Sequence, residues 1–209
     1  MKLIIATPSP FARKARVALI EKGIACDIQI DEPWNPDTHA PALNPLGKIP
    51  ILILDNGNVI HDSKIIVEYL ETLERPPQLV PADPVPRLQH RQIEATADGV
   101  CDAVVLIVLE RSRRAGLQSA DWVARQRAKV DAGTRWLAAT LGSRDWFVDD
   151  EFGLADVAVG CMLGYLDLRL PEFDWRARHA DLVRFADQVF DRPSFLATVP
   201  RAQAIAQVR

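Results

Sequence analysis

Residues 75 to 87 read RPPQLVPADPVPR, and five of these thirteen positions are proline. Each proline removes a backbone donor and fixes φ near about −65°, so neither a helix nor a central strand runs on through such a stretch. The two sides of the break carry different hydrophobic periods. Before it, short apolar runs alternate with helical stretches. After it strand signals vanish, and helical periods cover about 87–114, 120–141, 154–169, 180–191 and a short 194–199. The stretch therefore reads as a linker over 76–86, between an α/β domain at 1–75 and an all-helical domain at 87–209.

In the first half, KLIIAT from Lys2 to Thr7 reads as a short buried strand, and Ser9 to Lys22 as a helix closed by Gly23. Phe11, Ala15, Ala18 and Leu19 fall on one helical stripe. ACDIQI at 25–30 alternates as a second strand, completing a βαβ unit with a parallel, right-handed crossover. IPILILDNGNVIH at 49–61 holds two apolar runs joined around Asn56-Gly57, a strong hairpin signal, so an antiparallel pair extends the sheet. Ser63 then caps a helix to about Leu73, with Ile65, Ile66, Tyr69, Leu70 and Leu73 on its apolar face. The order is βαβ-ββα. In the second half, LADVAVGCMLGYLDL at 154–168 is apolar nearly all round, which marks a helix buried inside a bundle; fifteen residues are too few to span a bilayer.

The 25 Lys and Arg against 28 Asp and Glu give a net charge of −3, which provides no general attraction for nucleic acid or an anionic membrane. Cys26, Cys101 and Cys161 are odd in number, widely spaced and set in apolar sequence. They suit buried thiols in a reducing compartment rather than a disulfide framework. The opening MKLIIATP has too short an apolar run for a signal peptide, and no stretch reaches membrane-span length, so the cytoplasm is the expected location. His39, His61, His90 and His179 are scattered without metal-ligand spacing, and no metal is expected.

Three stretches, TPSPFARKARVALIEKGI at 7–24, NPLGKIPIL at 44–52 and HDSKIIVEYL at 61–70, resemble the glutathione S-transferase superfamily, as does the order of the whole chain. The likeness is strongest to a bacterial group of small members with a serine in an S-P-F stretch. It implies a thioredoxin-like first domain followed by a helical bundle, glutathione as co-substrate, a small electrophile as second substrate and a homodimer.

Each candidate residue has a bland reading beside the one the resemblance implies. Ser9 and Pro10 are a favoured N-cap and first helical residue whatever binds there. The resemblance makes Ser9 the catalytic group, its hydroxyl donating to the glutathione sulfur while its oxygen caps the helix, with Phe11 beside it as a glutathione-binding residue. Pro50 serves as a strand-opening proline in either case. The resemblance implies a cis Ile49-Pro50 bond that turns the Ile49 N–H and C=O toward the cysteinyl backbone of glutathione. Asp62 and Ser63 are a helix cap with an acidic neighbour, and by resemblance they hold the γ-glutamyl ammonium and carboxylate. Lys48 is a surface lysine before a strand, placed by resemblance near glutathione. Asn35 is an Asx-type turn before Pro36, placed by resemblance toward the glycyl end.

Asp98 and Asp102 share one helix face, either as a solvated edge or, by resemblance, with Asp98 reaching glutathione bound to the neighbouring subunit. The acceptor is expected near Pro10, Phe11 and the first long helix of the bundle. Ser9-Pro10-Phe11-Ala12 contains no thiol, which disfavours glutaredoxin-like or omega-type disulfide exchange, and it departs from the S-S-C start of the zeta isomerases, leaving a glutathione-dependent isomerase as a minor alternative. A non-catalytic module that keeps the fold for glutathione or protein binding is the other alternative. FGLADVAVG resembles the family's capping motif but has Gly153 where Ser or Thr is usual. Asp156 is thus left with half of a capping box.

Overall fold

The computed structural model describes residues 1–203, which divide into two compact units: residues 1–79 with the segment from Pro193 onward, and Val80–Arg192. The first unit contains β1 (Lys2–Ile5), α1 (Pro10–Glu21), β2 (Asp27–Ile30), α2 (Ala40–Leu43), β3 (Ile51–Ile53), β4 (Val59–His61) and α3 (Ser63–Thr72). From the far end of the chain it adds α9 (Pro193–Leu196). The sheet order is β2-β1-β3-β4, with β2 parallel to β1, β3 antiparallel to β1 and β4 antiparallel to β3. This is the thioredoxin-like βαβ-ββα arrangement expected from the sequence.

Strand alternation divides the apolar residues between the two faces of the sheet. Ile4 and its register partner Ile51 pack with Ala40, Leu43, Ile49 and Ile53 on one face, which is why the four-residue α2 forms at all. No helical period announced α2 in the sequence. α3 packs on α1, β3 and β4. Its buried stripe is Ser63, Ile66, Val67 and Leu70, spaced three and four apart; Ile65, expected inside, is 57 % exposed. The hairpin is also looser than two turn residues would make it. The chain crosses 54–58, where Leu54 N–H bonds to Asn58 O at 2.9 Å and Gly57 N–H to Leu54 O at 2.9 Å. Cys101 and Cys161 are buried, but Cys26 lies before β2 starts and is only half-buried.

α1 ends in a Schellman closure. Gly23, at φ 60°, donates its N–H to Ile20 O at 3.0 Å, and Ile24 N–H reaches Leu19 O at 2.9 Å. Just before this closure the Lys22 side chain is fully buried, its Nζ 3.0 Å from both Glu71 Oε1 and Pro77 O. The opposite flank of α1 takes the returning chain. Arg13 Nη2 donates to Phe195 O at 3.2 Å with its guanidinium 4.8 Å over the Phe195 ring, and Arg16 Nη2 donates to Ala197 O at 3.1 Å.

The second unit is all helical: α4 (Pro84–Ser112), α5 (Ala120–Leu141), α6 (Leu154–Arg169), α7 (Trp175–Arg178) and α8 (Ala180–Phe190). α4 begins at Pro84, earlier than its period suggests, because Asp83 caps it through Val85 N–H at 2.9 Å and proline is tolerated in a first turn. α6 buries every residue from Leu154 to Leu166 and packs on α4 and α8. The cap that Gly153 cannot supply is made up by two other side chains, one in the first turn and one on α4. Asp156 Oδ2 accepts from Gly153 N–H at 2.8 Å and Oδ1 from Phe147 N–H at 3.0 Å, while Ala155 N–H is taken by Nδ1 of His90 on α4 at 3.0 Å. His90 must be neutral to accept there, and burial holds its pKa below the usual histidine value. Among the described residues no helix is long and apolar enough to cross a membrane.

Candidate functional site

The strand register decides where the candidate residues go. Ile4 of β1 lies opposite Ile51 of β3, and Ile51 opposite His61 of β4. Because β1 and β4 run one way and β3 the other, the exit of β1, the entry to β3 and the exit of β4 all fall at one end of the sheet. The turn to Ser9, the Ile49-Pro50 bond and Asp62-Ser63 therefore share that end. β2 is parallel to β1 and also leaves there, its continuation fixed by Asp31 N–H on Ile5 O at 2.8 Å. Two helices, α1 and α3, start at this same edge, so two positive dipole ends meet at it.

Ser9 is the N-cap of α1, with extended backbone, and its Oγ accepts from Ala12 N–H at 3.2 Å. That bond uses a lone pair and leaves the hydroxyl proton free to donate. Ser9 N–H is spent on Ala6 O at 3.1 Å and Arg13 N–H on Ser9 O at 3.0 Å, and Pro10 has no N–H. Phe11 N–H has no hydrogen-bond partner among the described residues. A Ser hydroxyl and a free amide thus stand side by side at a helix N-terminus, an arrangement suited to a sulfur or oxygen anion.

At α3 the cap is Asp62 rather than Ser63. Asp62 adopts φ 72°, a region that costs a non-glycine residue about 1–3 kcal/mol, and its Oδ1 accepts from Lys64 N–H at 2.8 Å. Ser63 becomes the first helical residue. Its N–H and hydroxyl form no hydrogen bond among the described residues, although the residue is only 4 % exposed. The Ile49-Pro50 bond is cis. Neither the N–H nor the C=O of Ile49 has a hydrogen-bond partner among the described residues.

Comparison with known proteins identifies the family. Residues 8–73 match the family model "Glutathione S-transferase, N-terminal domain" and residues 120–188 match "Glutathione S-transferase, C-terminal domain". The chain belongs to the glutathione S-transferase superfamily. The uncharacterized GST-like protein YibF of Escherichia coli is 38 % identical over 200 residues, which cover 96 % of this chain and 98 % of that protein. A glutathione S-transferase of Methylobacterium radiotolerans, solved in complex with glutathione sulfonate, superposes with a TM-score of 0.95 at 48 % identity, covering 98 % of this chain and 97 % of the other. A second, from Methylobacillus flagellatus with glutathione bound, gives 0.91 at 42 % identity, covering 96 % and 99 %.

The remaining candidates lie less centrally. Lys48 is exposed, and among the described residues only its carbonyl is fixed. Asn35 sits in the turn after β2, its N–H on Glu32 O at 3.0 Å. Asp98 belongs to the second unit, in α4, and is 8 % exposed while Asp102 is exposed, so the expected solvated acidic edge fails at Asp98. Among the described residues no group of three or more His, Cys, Asp or Glu stands together as a metal site.

Asn44 is buried within NPLGKIPIL, and its role is not legible in the sequence. Its Nδ2 donates to Lys48 O at 2.8 Å and its Oδ1 accepts from Leu46 N–H at 3.0 Å. Its carbonyl takes Gly47 N–H at 2.8 Å, with Gly47 at φ 59°, a conformation natural to glycine. One residue, through its side chain and its backbone carbonyl, therefore shapes the loop that delivers Lys48, Ile49 and Pro50. The only local signal was an asparagine before a proline. Asn44→Ala is expected to lower stability by about 1–3 kcal/mol in urea unfolding. Asn44→Asp, which keeps the acceptor and loses the donor, is expected to fall between the two.

Proposed function

We propose that this chain binds glutathione at the shared sheet end and uses the Ser9 hydroxyl to hold its sulfur as a thiolate for attack on a small electrophile. The observation that carries the reading is the uncommitted Ser9 O–H beside the free Phe11 N–H at the start of α1. The peptide of glutathione then has a natural partner in the unpaired backbone groups of Ile49, and its γ-glutamyl carboxylate in the N–H and hydroxyl of Ser63. Asp62 offers its second carboxylate oxygen to the ammonium. Glutathione and glutathione sulfonate in the two solved relatives support the same ligand.

The magnitudes favour the hydroxyl as the main agent. A cysteine-type thiol ionises near about 8.5, and a charge-assisted hydrogen bond worth roughly 1.5–3 kcal/mol lowers this by about one to two units. The helix N-terminus adds about 0.3–1 kcal/mol, less than one unit. In the reaction the thiol proton leaves to solvent and a sulfur–carbon bond forms. The electron pair of the bond broken at that carbon goes to the leaving group.

Thiolate ultraviolet absorbance of the glutathione complex, followed against pH, tests this directly. The expected result is a bound thiol that ionises below neutral pH in the wild type and about one to two units higher in Ser9→Ala, with conjugation of an aromatic electrophile falling in step. Glutathione bound with an unperturbed thiol and no turnover would instead establish a binding module. Failure to bind glutathione at all would remove the reading.

A further inference from the structure

Ser9 can meet a sulfur only if the turn that carries it is held still, and the turn has few means of holding itself. Residues 6–9 close through Ser9 N–H on Ala6 O at 3.1 Å. Pro8 inside the turn and Pro10 after it have no N–H, so Thr7 carries the other donors. Both of its donors are taken by chain from the other end of the sequence. Thr7 N–H bonds to Gln203 Oε1 at 2.9 Å, and Thr7 Oγ1 lies 3.1 Å from both Gln203 Oε1 and Arg201 O, to one of which it donates its single proton. The route to that position is itself anchored on α1, by Arg13 on Phe195 and Thr198 and by Arg16 on Ala197.

We infer that Gln203 is a positioning residue for Ser9: its side-chain oxygen ties down the 6–9 turn through Thr7 and so fixes the hydroxyl at the start of α1. The inference rests on the glutathione reading for its catalytic consequence, but not for its structural one. The lever is short. Thr7 is two residues from Ser9, and Ser9 Oγ in turn holds Ala12 N–H.

The test compares wild type, Gln203→Met, which keeps length and loses the acceptor, and Gln203→Glu, which retains one. Amide exchange at Thr7 and Ala12, read by NMR without glutathione, is expected to quicken about five- to tenfold in Gln203→Met and to stay near wild type in Gln203→Glu. In the glutathione complex of Gln203→Met, kcat toward an aromatic electrophile is expected to drop about fivefold, with KM for glutathione changed less and the bound thiol ionising at higher pH. Unchanged exchange at both amides overturns the tie. Faster exchange at Thr7 alone, with Ala12, kcat and thiol ionisation unmoved, shows a purely structural tether and overturns the positioning role. If glutathione does not bind the wild type, the catalytic reading falls, while the Ala12 amide still decides whether Gln203 places Ser9.

Discussion

Lys22→Met is expected to cost about 3–5 kcal/mol of stability, because it strips one partner from a buried ion pair. The Lys22 side chain is fully buried and that of Glu71 is 10 % exposed, so solvent cannot reach in to replace the ammonium. The loss is compounded at Pro77 O, which gives up its 3.0 Å donor, and Glu71 Oε2 already has no hydrogen-bond partner among the described residues. Leu79 N–H on Glu71 Oε1 at 3.3 Å remains as partial compensation. Urea midpoints check the expectation. Adding Glu71→Leu to Lys22→Met is expected to recover much of the loss, since the uncompensated charge is then gone. A double variant no better than the single would mean that packing, not charge, sets the cost.

Asp156→Ala is expected to be of similar severity, about 2–5 kcal/mol, because it leaves the buried N–H groups of Phe147 and Gly153 unpaired at the start of α6. The same carboxyl makes stability depend on pH. Burial pushes it up to about 7, against the N–H groups of Gly153, Phe147 and Asp156 itself and against Arg192, which pull it down. In the unfolded chain it ionises near about 3.9. A raised folded value means that the stabilisation is complete below about 4 and is lost as pH climbs toward about 7, a swing on the order of 4 kcal/mol. His90 contributes the opposite slope. Its folded value is lowered, so its stabilisation is present above about 6.5 and is lost as pH falls. Subtracting Asp156→Asn from wild type across pH 4–7 isolates the carboxyl, and the difference is expected to shrink as pH rises.

The parts of this fold legible in the sequence are those whose signals are local. α5 and α6 span 120–141 and 154–169 as their periods indicate, and the buried face of α6 is nearly the whole helix, as its uniform apolarity implies. Where two residues are equally good local signals, tertiary structure decides. Asp62 and Ser63 are both fine caps, and the backbone turn after β4 gives the role to Asp62. α2 was illegible because four residues hold no period, and its reason for existing is Ala40 against Ile4 and Ile51. At the candidate site, the loops bearing Ser9, Ile49 and Ser63 could be read from motif and resemblance, but not what steadies them. Gln203 lies 196 residues from Thr7, and His90 lies 65 from Ala155. A lone polar residue in a chain does not disclose a partner that far away.

The return of the chain to α1 also sets an order on biosynthesis. Arg16 and Ala197 are 181 residues apart, so α1 leaves the ribosome long before the segment that covers its flank exists. The helical unit at Val80–Arg192 is translated entirely within that interval. The unit begun first is therefore completed second, and the bonds of Arg13 to Phe195, Arg16 to Ala197 and Thr7 to Gln203 form only once that last segment has emerged.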